Sequence, residues 1–339
     1  MTTVLAAAAI GFSLAVAAAY LLEYLDDTVK TPADIQRAVS LPTLTAIAEY
    51  RPDKRATSPL VTIVQPRTPI SEAYRGLRTA IQFGSVDDPI RTLLVTSATP
   101  SEGKSFTAAN LVVVMAQAGN RVLLLDADLR KPVQNRLMGM TRHYGLTDLL
   151  LARSIDINPE KPGMTYTHFK QAIVETEQPY SFFIASGSIP PNPAELVGST
   201  KLKSLLNILA RGFDYVVIDS PPVLAVTDAV ILSTRVDRVL LVARAGQTRR
   251  NQLKQALSRL EDVNANVMGV VLNRLNTRSR EYAYDYYYNS HNSSYFHDDP
   301  DSSEEELEQL AGRGETQASG KTIAARPSFI TRLLGRPSI

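Results

Sequence analysis

Residues 93–111 read L-L-V-T-S-A-T-P-S-E-G-K-S-F-T-A-A-N-L, and the rest of the chain is interpreted outward from them. The apolar run 93–95 predicts a buried strand, the small polar residues after it a turn, and the residues from Lys104 onward a helix. Gly103, Lys104 and Ser105 stand at the turn. In a phosphate-binding loop, glycine lets backbone N–H groups close round a phosphate and lysine reaches the outer phosphates. The serine hydroxyl coordinates Mg²⁺, and the helix N-terminus favours negative charge. The full pattern G-x-x-x-x-G-K-[ST] fails at its first position, Ala98, whose Cβ restricts the turn. The loop therefore needs support from the rest of the chain.

That support lies downstream. Residues 121–126 (R-V-L-L-L-D) predict a strand that runs into D-A-D-L-R, placing Asp126, Asp128 and Arg130 where open parallel sheets bind ligands. Residues 215–222 (Y-V-V-I-D-S-P-P) predict another strand with Asp219 near its end, as a carboxylate serving Mg²⁺ requires. Strands over 236–243 and 266–272, with a helix over 249–262 between them, continue the alternation. Three strand ends offering Lys/Ser, Asp/Asp and Asp point to Mg²⁺-nucleotide binding. The expected fold is an α/β P-loop NTPase with a mostly parallel sheet flanked by helices.

Composition narrows the class. A chain of 339 residues, 44% hydrophobic, suffices for one large or two modest domains. A net charge of +2 and no aromatic-basic interleaving beside the loop argue against a nucleic-acid partner. The absence of cysteine excludes disulfides, thiolate metal sites and a cysteine nucleophile. His143, His168, His291 and His297 share no metal-ligand spacing.

Residues 1–22 carry no charged side chain and have the length of one transmembrane helix. The alternatives are a buried alanine-rich helix and a cleaved signal, though Met1-Thr2-Thr3 lacks a basic n-region. Charges flanking the span mark orientation poorly, and a cytosolic bulk follows from the need for ATP. Residues 51–69, with four prolines, predict an extended linker. Residues 71–83 predict a helix capped by Ser71, with Glu72, Arg75 and Arg78 on one face. From Arg280 the composition shifts: Tyr282, Tyr284, Tyr286, Tyr287, Tyr288 and Tyr295 sit among Asp, Asn and Ser without helix or strand periodicity. An acidic stretch (D-D-P-D-S-S-E-E-E-L-E) follows, and a basic end from Lys321; this tail is expected to be disordered.

Taken together, these motifs resemble the bacterial tyrosine kinases of exopolysaccharide and capsule systems. T-P-S-E-G-K-S is similar to that family's Walker A motif, D-A-D-L-R to its A-prime motif and V-V-I-D-S-P-P to its Walker B. P-P-N-P-A-E-L (190–196), V-T-D-A (226–229) and G-V-V-L-N (269–273) are also family-like. E-A-Y-R-G-L-R resembles the family's E-x-x-R-x-x-R helix, which implies ring-like self-assembly through Glu72, Arg75 and Arg78. Y-L-D-D-T-V-K-T-P-A-D-I and L-P-T-L resemble the second membrane helix and cytosolic exit of a chain-length determinant (polysaccharide co-polymerase) protein. The family's usual first membrane helix and extracytoplasmic loop are not seen, by truncation or because a separate partner chain supplies them. More than forty residues follow the tyrosine cluster, which normally closes the chain.

The resemblance implies a division into a membrane helix (1–24), a juxtamembrane segment and linker (25–69), a kinase domain (70–279), a tyrosine cluster (280–297) and an acidic-then-basic tail (298–339). ATP and Mg²⁺ are the implied cofactors. Thr99, Pro100, Ser101, Glu102, Gly103, Lys104, Ser105 and Phe106 would form the nucleotide loop, and Asn273 would meet adenine. Ser105, Asp126, Asp128 and Asp219 would serve the metal, and Asp126 would also take the tyrosine proton. Arg130 would anchor phosphate or the facing subunit. The six tail tyrosines would be the autophosphorylation targets of a neighbouring subunit in a homo-oligomer at the inner membrane. A membrane activator and the polysaccharide machinery are further implied partners. The rivals are an ATP-switched positioning ATPase of the chromosome-partitioning and septum-site type, and a catalytically silent membrane component. The first carries a lysine where this chain has Thr99.

Overall fold

A computed structural model of the chain describes residues 1–24, 26–53, 56–84, 88–141, 144–152 and 171–276. The chain divides into two units, 1–157 with 162–275 and 158–161 with 276–339; apart from Asn276 the described residues belong to the first. Eight strands form one sheet: β1 (Thr43–Ala48), β2 (Thr92–Ser97), β3 (Val122–Asp126), β4 (Val174–Glu175), β5 (Ser181–Ile184), β6 (Tyr215–Asp219), β7 (Arg238–Arg244) and β8 (Val267–Leu275). Their order is β1-β8-β7-β2-β6-β3-β5-β4, parallel throughout except for the short antiparallel β4–β5 pair. The described helices are α1 (Thr2–Tyr24), α2 (Pro32–Val39), α3 (Val61–Val64), α4 (Pro69–Phe83), α5 (Lys104–Gln117), α6 (Gln134–Leu137), α7 (Leu146–Leu151), α8 (Pro193–Gly198), α9 (Thr200–Gly212), α10 (Asp228–Ser233) and α11 (Arg250–Glu261). The α/β architecture read from the strand ends is the one observed.

The sheet's centre explains why its strands read as unbroken apolar runs. Every residue of β2 and β3 is buried, and in β6 all but Tyr215. Strands covered on both faces have no solvent side on which to alternate. α5 is buried at every position from Lys104 to Ala116 except Phe106, because it lies between β2, β3 and β6 on one side and α3 and α4 on the other. α4 turns Ser71, Tyr74, Leu77 and Ile81 inward at helical spacing.

Three expectations are corrected. α4 starts at Pro69, so Ser71 lies inside the helix; its buried hydroxyl donates to the Gln65 carbonyl at 2.7 Å. Proline at the first helical turn sets φ and needs no N–H partner, which makes it the stronger start signal. The extended linker is interrupted by α3, where Leu60 and Val61 enter the core and the Thr62 N–H donates to Asn110 Oδ1 at 3.1 Å. The juxtamembrane segment is built into the fold: β1 pairs with β8, and Val29, Ile35 and Ile47 are buried. Gly269 allows that pairing, since a Cβ there would lie 2.7 Å from the Pro42 carbonyl oxygen.

Among the described residues no helix is long and apolar enough to cross a membrane. α1, a 23-residue helix, leaves Val4, Leu5, Ile10, Phe12, Leu14, Val16, Tyr20 and Leu21 exposed.

Candidate nucleotide site

Strand register assembles the site. β6 lies between β2 and β3, with Val95 opposite Asp219 and Asp126 opposite Asp219. Parallel strands share a polarity, so the loop after β2 and the carboxylates ending β3 and β6 emerge on one edge of the sheet. There Lys104 Nζ donates to Asp128 Oδ2 at 3.0 Å, to Asp219 Oδ1 at 3.4 Å and to Ser105 Oγ at 3.1 Å. Lys104 and Asp219, 115 positions apart, thus meet at the sheet's edge.

The centre is nearly dry and charged. Asp126 and Asp219 are fully buried, and Lys104, Ser105 and Asp128 are buried as well. Burial, then the charges of Asp219 and Asp128, push the Asp126 carboxyl well above the usual carboxylate range, against the pull of Lys104. Burial raises Asp219 too. For Lys104 burial alone would lower the ammonium, but Asp219 and Asp128 hold it charged and above its ordinary value. Asp126 Oδ1 accepts the Asp128 N–H at 3.2 Å, while its buried Oδ2 has no partner. A buried, unpaired carboxylate oxygen beside a serine hydroxyl and two further carboxylates is a hard-oxygen donor set suited to Mg²⁺. Among the described residues no group of His, Cys, Asp and Glu encloses a metal by itself.

The loop's backbone accounts for the irregular motif. Gly103 has φ +98°, and a Cβ there would lie 1.9 Å from Asn273 Nδ2, so this glycine is required. Ser101 also takes a positive φ of 67°, whereas Ala98 does not and tolerates its side chain. Asn273 Nδ2 donates to the Glu102 carbonyl at 2.9 Å, tying the end of β8 to the loop. Glu102 Oε2 accepts the Thr99 N–H at 2.9 Å and Oε1 the Thr99 hydroxyl at 2.8 Å. Pro100 and Ser101 are exposed at the tip. Phe106 stacks on Tyr50, ring centroids 6.0 Å apart, bringing the segment after β1 onto the loop's helix.

Other expected residues are distributed differently. Arg130 forms a two-pronged pair with the fully buried Asp228 at 2.9 and 2.8 Å. Along α4, Arg75 pairs with Glu72, while Arg78 reaches the Val114 carbonyl at 3.2 Å on α5. The six tail tyrosines and the four histidines lie outside the described residues. Sequence reasoning missed Gln134. It is fully buried, and its amide donates to Asp219 Oδ2 at 2.9 Å and to the Ser105 carbonyl at 3.0 Å. A glutamine in a polar stretch carries no signal of its own; only its nearness to D-A-D-L-R pointed to it.

Residues 93–295 match the family model described as the CobQ/CobB/MinD/ParA nucleotide binding domain. Tyrosine-protein kinase YwqD of Bacillus subtilis (strain 168) is 38% identical over 226 residues, 66% of this chain and 90% of that protein. Tyrosine-protein kinase Etk of Escherichia coli (strain K12) is 32% identical over 227 residues, 67% of this chain but only 30% of that longer protein. The solved kinase domain of E. coli Etk superposes with a TM-score of 0.66 at 27% identity, covering 74% of this chain and 96% of that domain. A solved chimeric protein, CapA2B2, gives 0.64 at 34% identity, with 73% and 100% covered. With the phosphate loop and strand-end aspartates in place, and with relatives that are themselves tyrosine kinases, the chain belongs to the bacterial tyrosine-protein kinases built on the CobQ/CobB/MinD/ParA nucleotide-binding fold.

Proposed function

We propose that this kinase phosphorylates the tail tyrosines Tyr282, Tyr284, Tyr286, Tyr287, Tyr288 and Tyr295 of a neighbouring copy, using Mg²⁺-ATP, within a capsule or exopolysaccharide system. The observation that carries the reading is Lys104 bound between Asp128, Asp219 and Ser105, beside an Asp126 oxygen with no partner. Mg²⁺-ATP, when bound, supplies the phosphoryl group. Lys104 would neutralise charge on the outer phosphates, and Ser105 with Asp128 and Asp219 would hold the metal end of the nucleotide. Gly103 and its neighbours present backbone N–H groups to phosphate. Asp126 Oδ2 would take the proton of a tyrosine hydroxyl presented to the outer phosphate, whose transfer would leave ADP. Its burial supports this role, because a carboxylate with a raised proton affinity is a better base toward a phenol whose ordinary pKa is about 10. Gln134 orients Asp219, and Asn273 borders the loop on the side proposed for adenine. Arg130 acts by holding Asp228.

Self-assembly runs through the α4 face carrying Glu72 and Arg75, with Arg78 fixing α4 to α5. The N-terminal segment 1–22 is the part proposed to hold the chain at the inner membrane, with the kinase domain in the cytoplasm. Support comes from the uncharged sequence 1–22 and the exposed apolar side chains along the helix. A separate membrane chain and the polysaccharide machinery are the remaining partners proposed. Each phosphate adds about −1.5 to −2 charges to a tail already followed by an acidic run, which favours its departure from the neighbour's site. The positioning-ATPase alternative is weaker, since Thr99 stands where that class carries lysine.

The test incubates the full chain with ATP and Mg²⁺ and maps phosphotyrosine by mass spectrometry, beside Lys104→Met and a variant with the six tyrosines changed to Phe. Phosphate on the tail, lost in both variants, is the expected result. ATP hydrolysis without phosphotyrosine would favour the positioning ATPase.

A further inference from the structure

Glu102 stands out within the nucleotide loop because its carboxyl is fully buried yet bonded only to neutral donors. These are the Thr99 N–H at 2.9 Å, the Thr99 hydroxyl at 2.8 Å, the hydroxyl of Thr248 and the Ala98 N–H. Thr248 is also fully buried, in the connection between β7 and α11, 146 residues further along the chain. Its hydroxyl oxygen accepts the Arg244 N–H at 2.8 Å, which leaves the O–H free to point at Glu102.

The other side of Thr248 faces the chain's beginning. Its carbonyl accepts the Val29 N–H at 2.8 Å; Gly246 N–H donates to the Val29 carbonyl at 2.9 Å, and Arg250 N–H to the Asp27 carbonyl at 3.0 Å. Thr28 and Arg249 face each other in an antiparallel bridge. Two ion pairs brace this seam, Arg250 with Asp34 at 2.7 Å and Arg249 with Asp27 at 3.7 Å. Residues 27–29, three positions beyond the end of α1, are thus linked to the nucleotide loop through one threonine.

We propose that Thr248 is a positioning residue of the kinase: through Glu102 it sets the nucleotide loop according to where segment 27–29 is held. The proposal rests on reading the loop as the ATP site. The covalent chain from residue 29 to Glu102 passes through more than seventy positions, whereas the hydrogen-bonded route passes through Thr248 alone. Displacing segment 27–29 removes the brace from Thr248, and Glu102 then loses the donor that holds Thr99 and the loop's entry in register. No charged group of the reaction centre is altered, so the effect falls on nucleotide binding and spares the chemical step.

The experiment measures KM for Mg²⁺-ATP and kcat for phosphotyrosine formation with the full chain. Thr248→Val keeps shape and removes the hydroxyl; it should raise KM roughly 3- to 10-fold with kcat within about twofold of wild type. Thr248→Ser, which keeps the hydroxyl, should restore KM. Val29→Pro deletes the N–H that reaches the Thr248 carbonyl; it should raise KM in the wild-type background and add little in the Thr248→Val background. An unchanged KM in Thr248→Val, a Ser variant that does not restore it, or independent multiplication of the two effects would overturn the proposal. If Thr248→Val loses its cooperative melt, hydrogen exchange at the Thr99 amide in Val29→Pro decides: faster exchange supports the link and an unchanged rate overturns it. Lys104→Ala keeps the two readings apart. Wild-type chain binding Mg²⁺-ATP no better than Lys104→Ala would overturn the ATP-site reading and this inference with it. Normal wild-type binding with a silent Thr248→Val would overturn this inference alone.

Discussion

Replacing Asp126 by Asn should make the nucleotide-free protein more stable while removing its activity. Asp126 is fully buried, its Oδ2 has no partner, and Asp219 and Asp128 repel its charge more than Lys104 compensates. A charged buried group left incompletely hydrogen-bonded costs about 1–3 kcal/mol. For a folded unit of this size each kcal/mol moves the melting midpoint by about 2–4 °C, so Asp126→Asn should melt roughly 2–12 °C higher at pH 7. The sign with pH follows from the direction of the shift. Folding raises the proton affinity of Asp126, so its contribution is favourable below the unfolded carboxyl value and is lost as pH rises through the folded value. The wild type carries that cost at neutral pH and sheds it on acidification, whereas Asn carries none, so the gap between them should close as pH falls. Thermal melts of both chains without nucleotide, between pH 5 and pH 8, read this directly. Phosphotyrosine formation should fall by about 10²-fold or more with loss of the proton acceptor. A variant melting at or below wild type at pH 7, or a gap that widens on acidification, would refute the electrostatic reasoning.

Arg130→Ala leaves the buried Asp228 without its half-exposed cation and should cost about 1–3 kcal/mol, seen as a lowered denaturation midpoint; Arg130→Lys should recover only part, because lysine lacks the two-pronged geometry. Gly103→Ala, at φ +98° with Asn273 Nδ2 in the way, should abolish Mg²⁺-ATP binding by calorimetry, whereas Ala98→Gly should leave it within about threefold of wild type. Removing residues 1–50 strips β1 from the sheet and exposes the edge of β8; that chain should aggregate in light scattering, while removal of 1–24 should leave the melt of the remaining domain unchanged.

The division of labour between chain and fold is clear at particular residues. Contiguous signals were legible: the strand-turn-helix around Gly103, the apolar runs closing in Asp126 and Asp219, and the α/β alternation, each written in neighbouring residues under local steric and hydrophobic rules. The motif order also identified the family. The departure at Ala98 resolves once the backbone is known, because only Ser101 and Gly103 in the loop need a positive φ. Tertiary structure alone decided that β6 enters between β2 and β3, that β1 joins β8, and that Gln134 meets Asp219, Arg130 meets Asp228 and Glu102 meets Thr248. These pairs are separated by 85, 98 and 146 positions, and their partners are set by strand order and register. Parallel strands need long crossovers, so residues adjacent at the sheet's edge are distant in sequence and leave no local pattern to read.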